Sequence, residues 1–240
     1  MKLDHFLDSG RIDPKQKWSS PCEPGRGRHC APVTQGRFIT FEGGEGTGKS
    51  TQVARLVERL RARELEVVQT REPGGSQGAE EIRNLALNGD AGRWSAATET
   101  LLMFAARSDH LERTIRPALE AGRWVVCDRF ADSSRAYQGA GGGTPADFIE
   151  TLDAAIVGAT QPDLDGQVED EGQVGLERAF GRGLFETRFE SKGLEFHERL
   201  RRGFRDIAAA HPERCVLIDA EGDQDTVEAR VWAAVEGRLL

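Results

Sequence analysis

Phe38-Ile-Thr-Phe-Glu-Gly-Gly-Glu-Gly-Thr-Gly-Lys-Ser-Thr51 is the stretch whose reading decides the fold. Arg37 to Glu42 is an apolar run that reads as a strand, Gly43 to Ser50 spells G-x-x-x-x-G-K-S, and Gln52 to Leu60 carries Val53, Leu56, Val57 and Leu60 at helical spacing. Strand, glycine-rich loop and helix in that order predict a phosphate-binding loop made of Gly43, Gly44, Glu45, Gly46, Thr47, Gly48, Lys49, Ser50 and Thr51. The glycines let successive backbone N–H groups curl around phosphate oxygens. Lys49 brings a point charge to the outer phosphates, and the Ser50 hydroxyl can sit on Mg²⁺. The helix N-terminus adds its own attraction for the anion. The competing reading is a glycine-rich turn with no ligand.

The composition suits a nucleotide enzyme. A chain of 240 residues can fold as one α/β domain with a full core. It has 32 basic and 40 acidic side chains, a formal charge of −8, which argues against wrapping a polyanion such as DNA or RNA. A small anionic ligand needs only a local group of arginines and stays allowed. No apolar run approaches the roughly 18 residues of a membrane span and no signal segment opens the chain, so the cytoplasm is the expected location. Cys127 and Cys215 sit in apolar, strand-like runs and read as small core residues. Cys22 and Cys30 lie in a polar leader, where His29 is too little to define a metal site.

Residues 1–36, rich in Pro, Gly, Arg and Lys, have no sustained period and read as a disordered leader or a misassigned start. The 37–240 remainder alternates: strand 37–42, helix 49–63, strand 65–70, helices between about 78 and 120, strand 123–128, helix 145–157, helix about 192–210, strand 215–219 and helix about 224–239. That order predicts a mostly parallel sheet covered on both faces. Chemistry then gathers at the carboxyl ends of the strands. The loop after Phe41, Arg71 to Gly75, and Asp128-Arg129 all lie there.

These three segments carry a resemblance. F-E-G-G-E-G-T-G-K-S-T, T-R-E-P-G-G-S from Thr70 to Ser76, and D-R-F-A-D-S-S-R-A-Y-Q-G from Asp128 to Gly139 are similar to thymidylate kinase. The first motif is shared by many nucleotide hydrolases and kinases; the other two are specific. The match runs from about Arg37 to Gln161 and resumes near Gly175. It implies a P-loop fold with a five-stranded parallel sheet, transfer of the γ-phosphoryl group of ATP to dTMP with Mg²⁺, a route to dTTP, and a homodimer.

Phosphoryl transfer needs alignment and positive charge more than covalent help, and a phosphate monoester acceptor, mostly dianionic near neutral pH, needs no strong general base. A motif set with many arginines and no histidine fits. By resemblance, Arg129 would hold the acceptor phosphate, Asp128 would help order Mg²⁺, and Arg83 would lie near the same phosphate, with Glu72 and Pro73 lining the acceptor site. Arg107 would contact the thymine carbonyl, Ser134 and Gln138 would read the pyrimidine edge, and Tyr137 would pack the sugar. Met103 stands where the family usually stacks a phenylalanine on the base. Taken alone, Asp128-Arg129 is a surface ion pair and Arg83 and Arg107 are solvated helix charges. Glu45 is an odd carboxylate to put beside a triphosphate unless it faces another group; in the similar kinases an acid here approaches the sugar 3′-hydroxyl. Gly181 to Glu190 resembles a lid, from which Arg188, with Arg182 second, would supply the transition-state cation in place of a loop arginine at Gly46. The competing reading of that stretch is an exposed basic loop.

One stretch departs from the family. Where a buried strand belongs, Asp165 to Val174 reads Asp-Gly-Gln-Val-Glu-Asp-Glu-Gly-Gln-Val. Losing about four buried aliphatics forfeits about 1.5–3 kcal/mol each, and unpaired carboxylates resist burial. Three readings follow: the sheet lacks its fourth strand, the stretch is a surface loop, or the sequence carries a local error. The chain is then expected to be less stable than its relatives. Two further functions stay open: a kinase for another nucleoside monophosphate, which Met103 allows, and a nucleotide-binding remnant without turnover.

Overall fold

A computed structural model of the chain describes residues 36–90, 92–169 and 193–240. The leader therefore lies outside the described residues, apart from Gly36, as do Cys22, Cys30, the lid arginines Arg182 and Arg188, and the second half of the anomalous stretch.

The phosphate-loop segment folds as the periodicity predicts. β1 (Phe38–Glu42) is buried throughout, and α1 (Lys49–Arg61) starts at Gly48, whose φ of 88° needs a residue without a Cβ. α1 buries Val53, Leu56, Val57 and Leu60. β2 (Val67–Arg71), α2 (Gln77–Leu87) and α3 (Ala96–His110) follow, with Ser76 and Ser95 accepting from Ala79 N and Thr98 N to cap the two helices. A π-helical segment, Leu111–Ile115, runs into α4 (Arg116–Glu120) and then β3 (Trp124–Asp128). After it come α5 (Ala131–Ser134), a second π-helical segment (Arg135–Gly141), α6 (Ala146–Ile156) and β4 (Leu164–Glu169). The described chain resumes with α7 (Leu194–Ala210), β5 (Cys215–Asp219) and α8 (Gln224–Leu239).

All five strands are parallel, in the order β2-β3-β1-β4-β5. One face packs Ile39, Phe41, Val126, Leu164, Val168 and Ile218 against α1 and α8, and the other packs Phe38, Val125 and Cys127 against Leu111, Ile115 and Ala118. Cys127 and Cys215 are buried free thiols, as expected. No helix among the described residues is long and apolar enough to cross a membrane.

The fourth strand is present, which overturns the readings of a missing strand and of a surface loop. β4 pairs with β1 from Ile39↔Leu164 to Glu42↔Gln167 and with β5 from Asp165↔Cys215 to Glu169↔Asp219. Its sequence keeps a period of two: Leu164, Gly166 and Val168 face α1 and α8, while Asp165 and Gln167 turn to the opposite face. There the polar side chains meet charge instead of hydrocarbon. Arg214 donates to Asp132 (2.7 Å) and to Asp165 (3.1 Å), and Gln167 Nε2 donates to Asp132 at 3.4 Å. Accommodation is incomplete, since Asp165 Oδ1 and Gln167 Oε1 are buried with no partner among the described residues. Burial, then the nearby Asp132 and Glu42, push the Asp165 carboxyl well above its usual range.

Candidate functional site

The site forms where β1, β3 and β2 end together. Gly43, Gly46 and Gly48 have φ of 129°, 75° and 88°. At Gly43 a Cβ would lie 2.1 Å from the carbonyl oxygen of Val168, so the loop starts directly against β4. Lys49 is buried and its Nζ donates to the Gly44 carbonyl and, at 3.4 Å, to Thr47 Oγ1. Burial, reinforced by Arg129, lowers its ammonium to about 8.

Ser50 Oγ donates to Asp128 Oδ2 at 2.6 Å. A hydroxyl and a carboxylate from two different elements, both hard oxygen donors, fit Mg²⁺.

Arg129 follows β3 at a φ of 70°, an uncommon conformation for a residue with a side chain. Its partner is not Asp128, as a surface ion pair would require. It donates to the Gly43 carbonyl and to Glu45, both at 2.9 Å, and stacks 4.9 Å over the Tyr137 ring. Tyr137 is buried beside Phe196 and Phe204 and donates its hydroxyl to Glu45 at 2.7 Å. Burial alone would raise the Glu45 carboxyl, but Arg129, Lys49 and the Tyr137 hydroxyl outweigh it and hold the group at about 2. The carboxylate in the loop thus has the partners its position demands.

The next wall comes from α3. Arg107 is only 3% exposed, far from a solvated helix charge. Its Nε donates to Glu72 (2.8 Å), and its Nη2 to the Phe130 carbonyl (2.8 Å) and Ser134 Oγ (3.1 Å). Its Nη1 is buried and has no partner among the described residues. Phe104 and Phe130 flank the guanidinium at 4.6 and 5.4 Å. Glu72 spends both oxygens, the second on His110 Nδ1 at 3.0 Å, while His110 Nε2 lies 2.7 Å from Thr70 Oγ1. Arg83 is partly buried and donates to the Pro73 carbonyl at 2.6 Å, across a cis Glu72–Pro73 bond. Met103 packs with Ala86, Ala136 and Tyr137, and Gln138 donates to Glu99 at 3.1 Å.

Of the residues singled out from the sequence, the described ones converge on these connected groups. Three contributors were missed. Glu42, at the end of β1, accepts from Phe130 N (2.8 Å), Ser133 N (3.1 Å) and Ser133 Oγ and so ties the strand to the D-R-F segment. Its carboxyl is pushed to about 7 by burial and by Asp132. Glu99, which accepts from Gln138, and His110, which meets Glu72, lie outside every motif in the sequence. Their signal was spacing, because 99, 103, 107 and 110 fall on one helical face.

Known proteins resemble this chain along most of its length. The thymidylate kinase family model matches residues 41–231. Among curated proteins, the thymidylate kinase of Caulobacter vibrioides is 57% identical over 207 residues, 86% of this chain and 99% of that protein. The thymidylate kinase of Ruegeria pomeroyi is 54% identical over 200 residues, 83% of this chain and 94% of that protein. Among solved structures, thymidylate kinase from Ehrlichia chaffeensis superposes with a TM-score of 0.69 at 32% identity, covering 83% of this chain and 98% of that one. Strand order, phosphate loop and sequence identity along nearly the whole length of its relatives lead to one conclusion: this chain belongs to the thymidylate kinase family.

Proposed function

We propose that this protein transfers the γ-phosphoryl group of ATP to dTMP, forming dTDP on the route to dTTP. The observation that carries the reading is Glu45: a phosphate-loop residue held by Arg129 and Tyr137 of the D-R-F segment, so that donor loop and acceptor segment make one site. In this reading Gly43 to Thr51 cradle the ATP phosphates and Lys49 leaves Gly44 to meet the outer ones. Ser50 and Asp128 hold Mg²⁺, which when bound neutralises charge on the phosphates. Arg129 and Arg83 take the acceptor phosphate from two sides, and Glu45 faces the sugar hydroxyl. The unpartnered Nη1 of Arg107 supports its role as donor to the thymine carbonyl, since a buried N–H without an acceptor costs free energy until a ligand supplies one. Glu72 acts behind Arg107, while Ser134, Gln138, Met103 and Tyr137 shape the nucleoside pocket. No side chain abstracts a proton, because the attacking phosphate oxygen is already ionised. Arg188, with Arg182 second, supplies the closing cation from the lid. A homodimer in the cytoplasm completes the reading and rests on the family resemblance.

Coupled ADP release with dTMP, dUMP, CMP and AMP as acceptors is the test. The highest kcat/KM is expected with dTMP. A preference for another monophosphate would make this a different nucleotide kinase, and folded protein that turns over none of them would make it a binding remnant. In the same assay Arg188→Ala should lower kcat more than it raises KM, and an unchanged kcat would put the transition-state cation elsewhere.

A further inference from the structure

α3 presents Glu99, Met103 and Arg107 at intervals of four, and the segment from α5 into the second π-helical turn presents Ser134 and Gln138 at the same interval. Two hydrogen bonds run between these faces like rungs: Arg107 Nη2 to Ser134 Oγ at 3.1 Å, and Gln138 Nε2 to Glu99 Oε1 at 3.1 Å. All five side chains are buried. Each rung leaves one group open. Arg107 Nη1 is buried with no acceptor among the described residues, and Gln138, with its Nε2 spent on Glu99, has its amide oxygen left over.

The amide of glutamine can present either its oxygen or its nitrogen to a ligand, and only its other partner decides which. A carboxylate accepts and cannot donate. Facing Glu99, Gln138 must turn its NH₂ inward to α3 and leave its carbonyl oxygen for the pocket. Turning the amide over would set two acceptors against each other in a buried place. The pocket therefore offers one fixed donor, from Arg107, and one fixed acceptor, from Gln138. Thymine carries a carbonyl beside a ring N–H and satisfies both. Cytosine carries an amine beside a bare ring nitrogen and satisfies neither.

We propose that Glu99 is a positioning residue that locks the Gln138 amide with its oxygen toward the acceptor base, and so sets the preference for a base with a ring N–H beside a carbonyl. This rests on the reading of the pocket as the base site for dTMP. Glutamine at position 99 can donate as well as accept, which frees the Gln138 amide to turn over. In the full-length protein, Glu99→Gln should lower the ratio of kcat/KM for dTMP to that for dCMP roughly ten- to a hundredfold, the range for one buried polar group left unpaired. In a Gln138→Ala background the same substitution should leave the ratio unchanged, because the group it positions is gone. The melting midpoint of each variant is read alongside.

Equal loss of kcat/KM for the two acceptors, so that the ratio holds, would reduce Glu99 to a structural residue and overturn the proposal. So would a ratio that still falls in the Gln138→Ala background. Wild-type protein with no dTMP turnover would remove the base-site reading itself, an outcome distinct from both.

Discussion

β1 and β4 lie side by side in the middle of one sheet, pair residue by residue, and are both buried, yet one reads as Phe-Ile-Thr-Phe-Glu and the other as Leu-Asp-Gly-Gln-Val-Glu. What they share is the face toward α1 and α8, where Ile39 and Phe41 stand beside Leu164, Gly166 and Val168. On the opposite face β1 is less apolar than its sequence suggests, because Thr40 and Glu42 point there with Asp165 and Gln167. Asp132 and Arg214 serve β4, while Phe130 and Ser133 backbone groups serve Glu42. A central strand needs one apolar face and pairing on both edges; its other face can be polar if charge partners arrive from elsewhere in the chain. The difference between the strands is one of division of labour. β1 delivers the phosphate loop, and β4 supports its first glycine through the Val168 carbonyl.

That division predicts where damage shows. Lys49→Ala, at the delivering end, should lower kcat at least about a thousandfold with little change in melting temperature. A loss of folding instead of turnover would mean that Lys49 belongs to the core. Gly43→Ala strikes both strands at once, because a Cβ at a φ of 129° meets the Val168 carbonyl. It should cost about 3 kcal/mol in urea unfolding and weaken Mg-ATP binding measured by calorimetry. Normal stability and affinity in that variant would separate the loop from β4.

Much of this architecture was legible and the reason for each failure is specific. β5 and α8 fall on the residues expected, since apolar runs bounded by polar turns leave little choice. β2 begins two residues later than expected, because Leu65 N still donates back to the Leu60 carbonyl and closes the turn out of α1, and the ladder to β3 starts only with the Glu66 carbonyl. β4 is obscured in the sequence because its carboxylate and amide groups have no visible partners there, although the alternation of Leu164, Gly166 and Val168 remains; Arg214 and Asp132 arrive from distant segments. Spacing identified the phosphate loop. It could not reveal that Arg107 would be buried against Glu72 or that Glu99 would face Gln138, because those partners come from segments 35 and 39 residues away.

The polar layer predicts a pH dependence. Glu42 is raised from 4.5 to about 7, and Asp165 is raised in the same direction. A carboxyl that holds its proton more tightly when folded stabilises the fold at low pH and loses that contribution as pH climbs through the folded value. Unfolding free energy should therefore fall by about 1–3 kcal/mol between pH 4.5 and 7. A flat or rising profile over that window would show the carboxylates to be fully compensated. The smallest effect is expected from Asp165→Asn, which keeps the shape but removes a carboxyl whose ionisation burial and the neighbouring Asp132 and Glu42 disfavour, and it should add about 1 kcal/mol at pH 8. Destabilisation there would mean that the Asp165 charge is needed by Arg214.

Amide hydrogen exchange across the two strands in the full-length protein tests most directly that β4 is a true central strand, paired on both edges and backing the phosphate loop that β1 delivers. Protection at Asp165 to Val168 within about tenfold of that at Ile39 to Phe41 is the predicted result. Exchange of the β4 amides at the rate of an unfolded chain while β1 stays protected would contradict it.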